Sequence, residues 1–320
     1  NISLKNESTG QSISILDKSI RYTFSYNREN SLENFKKVYY FLLEESEKKL
    51  SKKTLEIAAV TGLVNSLDPY SKYMDAESFK KSMSETEGIY GGLGMVITMK
   101  DKRLHVVKTI KNSPAQRAGI KPDDIFEKIN GIAIKKSQVS ELADKLRGKP
   151  GTKVTITLSR PSEKKEYSYT LNREIISIET VEYQTLKNNV GSIKITSFSK
   201  KTNDQLKKVL IIAKQDKVKA FILDLRNNPG GLLDQSVKIA SHFLYHNRLV
   251  VYTQGREPTD RHKYRAKYQN SLHSTPVVIL INQHSASAAE IVAGALRDSG
   301  KALIIGENSY GKGTVQTIFR

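Results

Sequence analysis

Three short runs in the C-terminal half combine residue types that could carry out acyl transfer. Ser285-Ala286-Ser287-Ala288-Ala289-Glu290 follows the apolar run Val277–Ile281 and sets two hydroxyls among small side chains. A serine at a helix start has polarised N–H groups around it, and small neighbours let a substrate backbone come close. The plain alternative is helix capping by Ser285 or Ser287. Asp224-Leu225-Arg226-Asn227-Asn228-Pro229-Gly230-Gly231 ends a buried run and is expected to open a helix. Unpaired N–H groups at such a Gly-Gly start could hold a developing oxyanion, and an ordinary strand-to-helix turn is the alternative. Gly311-Lys312-Gly313-Thr314-Val315-Gln316 sets a lysine between glycines. A lysine serves a serine as base only when neutral, which requires desolvation; otherwise it is an exposed loop residue.

A fourth run, Tyr90-Gly91-Gly92-Leu93-Gly94-Met95, gathers glycines just before a strand-like stretch. Such a loop can converge several N–H groups on an anion. It lacks the spacing of a phosphate loop and leads into a strand rather than a helix. A carboxylate fits better, because an extended peptide could then pair with the strand that follows. Other catalytic readings are weaker. His284 lies three residues before Ser287, but the G-x-S-x-G pattern is absent. His242 and His246 sit four apart on an expected helix without the glutamate of a zinc-protease pattern, so a helix surface is the simpler reading. Ser-x-x-Lys at Ser46/Lys49 and Ser197/Lys200 is chance in so lysine-rich a chain.

These runs need elements to position them. Residues 12–26 and 31–66 read as helical, with Leu32, Phe35, Val38, Tyr39, Leu42 and Leu43 at helical spacing, Thr54 as a candidate cap and Asp68-Pro69 as a stop. Near Gly88 the texture changes to strands: Met95–Thr98, Leu104–Ile110, Ile125–Ile129 and Val154–Leu158, with helices opened by Ser113-Pro114 and by Ser137. From Glu174 strands at 190–196, 219–225, 249–252 and 277–281 alternate with helices at 205–214, 231–245 and 288–296, a βαβ pattern. Stretches 302–305 and 314–318 are expected as closing strands. The fold class is thus α+β multidomain: a helical region 1–87, a β-rich domain 88–173 and an α/β core 174–320.

Composition narrows the function classes. The chain has 320 residues, 38% hydrophobic and 27% charged, a globular balance with material for more than one core. No run approaches the ~18 apolar residues of a membrane span, and no signal pattern precedes Asn1, so any targeting segment is expected to be absent. The absence of cysteine excludes thiol nucleophiles, disulfides and Cys-ligated metals, and permits an oxidising compartment. The net charge is +19, of which residues 88–173 hold 18 Lys/Arg against 8 Asp/Glu and residues 1–87 hold 13 of each. The cations are spread along the chain with no basic run, so nucleic acid is not the expected partner.

Two resemblances follow from these motifs. Gly91–Gly94 with Ser113-Pro114-Ala115, Ala118-Gly119-Ile120, Asp123-Asp124-Ile125 and Ile129-Asn130-Gly131 resembles a PDZ domain over residues 88 to about 173. The resemblance implies a chain-end carboxylate held by Gly91, Gly92, Leu93 and Gly94. Met95 and Ile97 would form one groove wall, Val139, Leu142 and Leu146 the other, with a pocket for an apolar terminal side chain. The three C-terminal runs, in this order after such a domain and with Leu67-Asp68-Pro69-Tyr70-Ser71 upstream, resemble the C-terminal processing peptidases, or tail-specific proteases. That family implies a crotonase-like core and a Ser–Lys serine endopeptidase. Ser287 matches its nucleophile, Lys312 its general base and Gln316 the residue that orients the lysine. The N–H groups of Gly231 and Ala288 match its oxyanion hole. It also implies substrates with free apolar C-termini, an extracytoplasmic (periplasmic) location, and no cofactor or metal. Homo-oligomers and peripheral membrane or adaptor association stay open. His284 and Ala289 replace the usual glycine and serine, and family strands are expected to be missing after Arg320. A non-catalytic tail-binding module is the rival reading, and it predicts loss of Ser287 or Lys312.

Overall fold

The computed structural model describes residues 2–7, 10–15, 17–23, 25–46, 51–134, 139–269 and 272–319. Its contacts divide into two compact units, one reaching to Lys80 and including the residues from Gln316 on, the other running Lys81–Val315.

The first unit opens with an antiparallel meander, β1 (Ile2–Glu7), β2 (Gly10–Ile15) and β3 (Lys18–Tyr22). The helix expected over 12–26 is therefore wrong. Ile13 and Ile15 alternate and are buried, and Ile13 pairs with Ile20, a period of two rather than 3.6. Helix α1 (Arg28–Glu45) is capped by Asn27, whose Oδ1 accepts from Glu29 N at 2.8 Å. Helix α2 (Lys52–Asn65) is capped by Ser51, which accepts from Thr54 N at 3.1 Å, so Thr54 lies inside the helix instead of capping it. Asp68 closes this stretch by accepting from the N–H groups of Tyr70 and Ser71 at 2.7 Å. Helix α3 (Ala76–Glu87) was not foreseen.

In the second unit β4 (Ile89–Gly92) precedes β5 (Met95–Lys100), β6 (Arg103–Thr109), helix α4 (Pro114–Arg117), β7 (Ile125–Ile129), β8 (Ile132–Ala133), helix α5 (Val139–Leu146), β9 (Lys153–Arg160) and β10 (Lys165–Asn172). The sheet order is β10-β9-β7-β6-β5, with β8 on β7. Leu104, Val106, Phe126, Ile156 and Leu158 form its core. Ser137, expected to open α5, lies outside the described residues. Beyond residue 173 the chain still belongs to this neighbourhood, because β11 (Glu174–Ser177) pairs with β4, Glu174 opposite Gly92.

The α/β part holds β12 (Val181–Leu186), β13 (Val190–Ile195), α6 (Thr202–Gln215), β14 (Ala220–Asp224), α7 (Leu233–Ser241), β15 (Leu249–Gln254), β16 (Arg261–Arg265), β17 (Val277–Ile281), α8 (Ala288–Asp298) and β18 (Ala302–Gly306). One sheet runs β12-β13-β14-β17-β18, parallel except for β12, and β15 pairs with β16 as a separate ribbon. Ile193, Leu223 and Ile279 of neighbouring strands are fully buried, as parallel strands covered by helices require. Phe221 meets Phe243 edge-on at 6.0 Å beneath them. Residues 314–318, expected as a closing strand, carry no strand pairing, and Val315 is 60% exposed. Among the described residues no helix is long and apolar enough to cross a membrane.

Candidate active site and tail-binding groove

The candidate site forms at the C-terminal ends of the adjacent parallel strands β14 and β17, where α/β sheets place their ligands. Beyond β14, Asp224 is buried and grips Arg226 through two side-chain bonds, 2.9 and 2.8 Å. Burial opposes ionisation of Asp224, but the Arg226 guanidinium and N–H outweigh it and hold the carboxyl below the usual range. Asn228, also buried, accepts from Gly230 N at 2.9 Å and donates to Ile195 O at 2.7 Å. The Gly-Gly pair does not open the helix directly. Gly231 lies in a bridge with Phe198, and α7 begins at Leu233.

Beyond β17 the chain turns at Asn282. Ser285 is fully buried, donates to Leu225 O at 2.8 Å and accepts from Asn282 N at 3.0 Å. It stitches the two strand ends together and does not cap α8, which corrects the capping expectation. Ala286 N donates to Asn228 O at 2.9 Å, a second stitch. Ser287 then occupies the N-cap position with φ 54° and ψ −114°. Such a backbone is sparsely populated for a residue with a Cβ, costing on the order of 1–3 kcal/mol, and strain of this kind gathers at functional sites. The contact that imposes it is visible. Gly230, with φ 100°, lies so close that a Cβ on it would stand 2.8 Å from Ser287 Cβ and 3.0 Å from Ala288 N. No acceptor within the described residues takes the N–H of Gly231 or of Ala288. The five residues Gly230, Gly231, Ser287, Ala288 and Lys312 do not all come from one element, and a sixth residue joins them.

That residue is Glu290. Its Oε2 accepts from Ser287 N at 2.7 Å and from Lys312 N at 3.0 Å, while Oε1 accepts from Gly311 N and Ser309 Oγ, both at 2.7 Å. The backbones of Ser287 and Lys312 are thus held on a single oxygen atom. Burial works against ionisation of Glu290, yet these four donors prevail and keep its carboxyl below the usual range. Sequence reasoning gave Glu290 no role. The signal was present as Ser287-x-x-Glu290, a capping-box spacing in which the glutamate reaches back to the N-cap N–H. Lys312 is half-buried. Gln316 falls in the first unit, where its amide donates to the carbonyl of Tyr70.

The rivals gain little. The His284 ring has no hydrogen-bond partner among the described residues, and only its N–H bonds, to Asn282 Oδ1. His242 stands just past α7 rather than on a helix surface. It is half-buried beside Tyr268 and Asn203 Oδ1, and burial holds it down to about 4. His246 lies beyond it on an exposed turn, and among the described residues no cluster could hold a metal ion. Lys200 of the Ser197/Lys200 pair is engaged with Glu87.

In the β-rich domain the glycine run divides. Gly91 and Gly92 belong to β4, and Gly91 O accepts from Gly148 N at 3.0 Å. The free turn is Leu93-Gly94. Gly94 has φ 76°, and a Cβ there would lie 2.2 Å from Ser113 Cβ. The carbonyls of both residues are taken, Leu93 O by Ala115 N and Gly94 O by Ile110 N and Ser113 Oγ. Their C=O groups point inward, which leaves the N–H side for a ligand. Strand β5 is the sheet edge next to this turn, so its outer edge suits an added strand. Met95 and Ile97 are half-buried on it and pack against the domain core. Leu142 and Leu146 are only 1% and 6% exposed, part of the domain core rather than an open groove wall, because α5 packs directly on β5. Val139 packs against the same cluster.

Residues 105–160 match the PDZ domain model and residues 189–320 match peptidase family S41. A carboxy-terminal-processing protease from Bartonella bacilliformis is 40% identical over 81% of this chain and 60% of its own length. A probable CtpA-like serine protease from Staphylococcus aureus is 39% identical over 90% of this chain and 57% of its own. Among solved structures, a photosystem II D1 C-terminal processing protease superposes with a TM-score of 0.46 at 25% identity, over 88% of this chain and 78% of that one. The chain spans about 57–60% of the length of these curated relatives. The chain thus matches a PDZ domain followed by a peptidase family S41 domain, and over 81–90% of its length it is similar to carboxy-terminal processing and CtpA-like serine proteases.

Proposed function

We propose that this chain carries the catalytic apparatus of a serine endopeptidase that selects substrates by an apolar, free C-terminus. The observation that carries the reading is the joint on Glu290, which holds the strained Ser287 and the Lys312 backbone on one oxygen beside the unpaired N–H groups of Gly231 and Ala288. Ser287 Oγ attacks the scissile carbonyl carbon while its proton passes to the neutral amine of Lys312. The oxyanion that forms accepts from Gly231 and Ala288 N–H. The lysine returns the proton to the leaving amine, and a water activated by the same amine then hydrolyses the Ser287 ester. Gln316 enters as the orienter of the lysine on its motif alone.

Tail capture falls to the Leu93-Gly94 turn, with Met95 and Ile97 beside it and the tail added along β5. Seating a terminal side chain against Leu142 and Leu146 requires α5 to move off β5. Residues 1–87, 88–173 and 174–320 act in this reading as N-terminal region, tail-binding domain and protease core. An extracytoplasmic place rests on the family resemblance. The test is mass spectrometry of unfolded peptides with free apolar C-termini after incubation with the wild type and with Ser287→Ala. New cleavage products confined to the wild type support the reading, and identical product patterns refute it.

A further inference from the structure

Arg173 is 8% exposed, yet no carboxylate among the described residues pairs with it. Its donors go to neutral oxygens: Nε to Leu146 O at 3.0 Å, Nη2 to Lys145 O at 2.8 Å, and Nη1 to Lys153 O at 3.0 Å and Thr152 Oγ1 at 3.1 Å. A buried cation without a counter-charge is costly, since its desolvation is not offset by an opposite charge. Among the described residues the other buried arginine, Arg160, follows the ordinary rule and pairs with both oxygens of Asp124.

The position of this charge gives it a use. Lys145 and Leu146 are the last residues of α5, whose terminal carbonyls carry the negative end of the helix dipole. That end lies beside β4, the strand that leads into the tail-binding turn: Gly148 N donates to Gly91 O, two residues before Leu93, and Gly148 packs so close to Arg173 that a Cβ on it would stand 2.9 Å from Nε. Glu174, the next residue, pairs opposite Gly92. Left alone, the helix end would repel an arriving carboxylate. The Arg173 guanidinium donates to both carbonyls, and its full positive charge exceeds the roughly half negative charge of a helix end.

Resting on the tail-binding reading above, we propose that Arg173 is the buried electrostatic partner of the substrate's terminal carboxylate at Leu93-Gly94, acting through space rather than by direct contact. It would set the preference for a free acid over an uncharged chain end. A unit charge ~10 Å from the carboxylate, at an effective dielectric near ~20, corresponds to about a tenfold change in affinity.

The experiment uses the full chain carrying Ser287→Ala, so that peptides stay intact. Fluorescence anisotropy measures binding of one apolar-ended peptide as free acid and as C-terminal amide. The starting protein should prefer the acid, Arg173→Gln should lose about tenfold of that preference with amide affinity unchanged, and Arg173→Lys should retain most of it. Because the charge is buried, the preference should also persist in salt. If the starting protein does not distinguish acid from amide, the tail-binding reading itself fails. If it does and Arg173→Gln distinguishes them equally well, or if the lysine variant loses as much as the glutamine variant, the role assigned to the Arg173 charge is wrong. Equal loss of acid and amide binding in Arg173→Gln makes the residue a packing element and also overturns the proposal.

Discussion

Two turns among the described residues leave backbone N–H groups free for an oxygen anion, and they are built differently. At Leu93-Gly94 the left-handed position is occupied by glycine, whose missing Cβ makes room for Ser113. At Ser287-Ala288 the left-handed position is occupied by serine, and the missing Cβ belongs to the neighbour across the turn, Gly230. A turn that only binds can use the residue that suits the backbone. A turn that must also supply a nucleophile needs a side chain at the strained point, and the strain is held by a glycine opposite and by Glu290. On the proposed function, the difference separates recognition from chemistry by what each asks of the same backbone geometry.

The contrast is broken most directly at Ser287. Ser287→Ala should lower peptide cleavage by at least ~10³-fold without changing tail binding. Ser287→Gly should be equally inactive yet more stable than the wild type, by about 1 kcal/mol in denaturant unfolding, because glycine relieves the positive φ. At the other turn the sign inverts. Gly94→Ala should lose about 1–3 kcal/mol of stability and also tail affinity. Stabilisation by Gly94→Ala would contradict the comparison.

Next comes Gly230→Ala. Its Cβ would press on Ser287 and Ala288 N, so cleavage should fall by roughly 10²–10³-fold through displaced oxyanion donors. Active-site labelling of Ser287 should fall less. A smaller effect is expected of Glu290→Gln, because the amide must turn its NH₂ towards one of two donor pairs and leave it unpaired. We expect about a tenfold loss of kcat with KM nearly unchanged. The pH dependence has a definite sign. Glu290 is held below the ordinary carboxylate pKa, so its contribution to stability is complete above about pH 4.3, the unfolded value, and is lost as pH falls through the lower folded value. Acid unfolding of Glu290→Gln should lack this component. The smallest effect is assigned to Ser285→Ala, which takes the Ser285 partner from Asn282 N–H and leaves the Leu225 carbonyl with Asn228 N alone, for about 1 kcal/mol, with activity within a few-fold of the wild type. An inactive Ser285→Ala would move the nucleophile two residues.

What the sequence made legible follows from how local each cause is. The strands β14 and β17 stood out because parallel strands covered on both faces are near-continuous apolar runs. The meander at the N-terminus did not, because Ile13 and Ile15 alternate within a stretch whose remaining apolar residues suggested a helix. Residues 314–318 have the composition of a strand, but no neighbour pairs with them. The serine, the lysine and the glycines were readable as types and spacing. Glu290 was readable as a capping-box residue, although its reach to Gly311 and Lys312, some twenty positions on, is tertiary. The strain at Ser287 and the uncompensated burial of Arg173 left no local mark. Both depend on which distant backbone comes to rest against them.

The central claim is that Ser287 is activated by Lys312. Its most direct test is intact-mass and peptide-level mass spectrometry after reaction with a fluorophosphonate, across a pH series, for the wild type, Lys312→Arg and His284→Ala. A lysine base acts only when unprotonated and arginine cannot lose its proton at these pH values. The account predicts a single adduct on Ser287 whose rate rises with pH, kept in His284→Ala and absent in Lys312→Arg. An adduct on Ser287 at the wild-type rate in Lys312→Arg, with loss of labelling in His284→Ala, would contradict it.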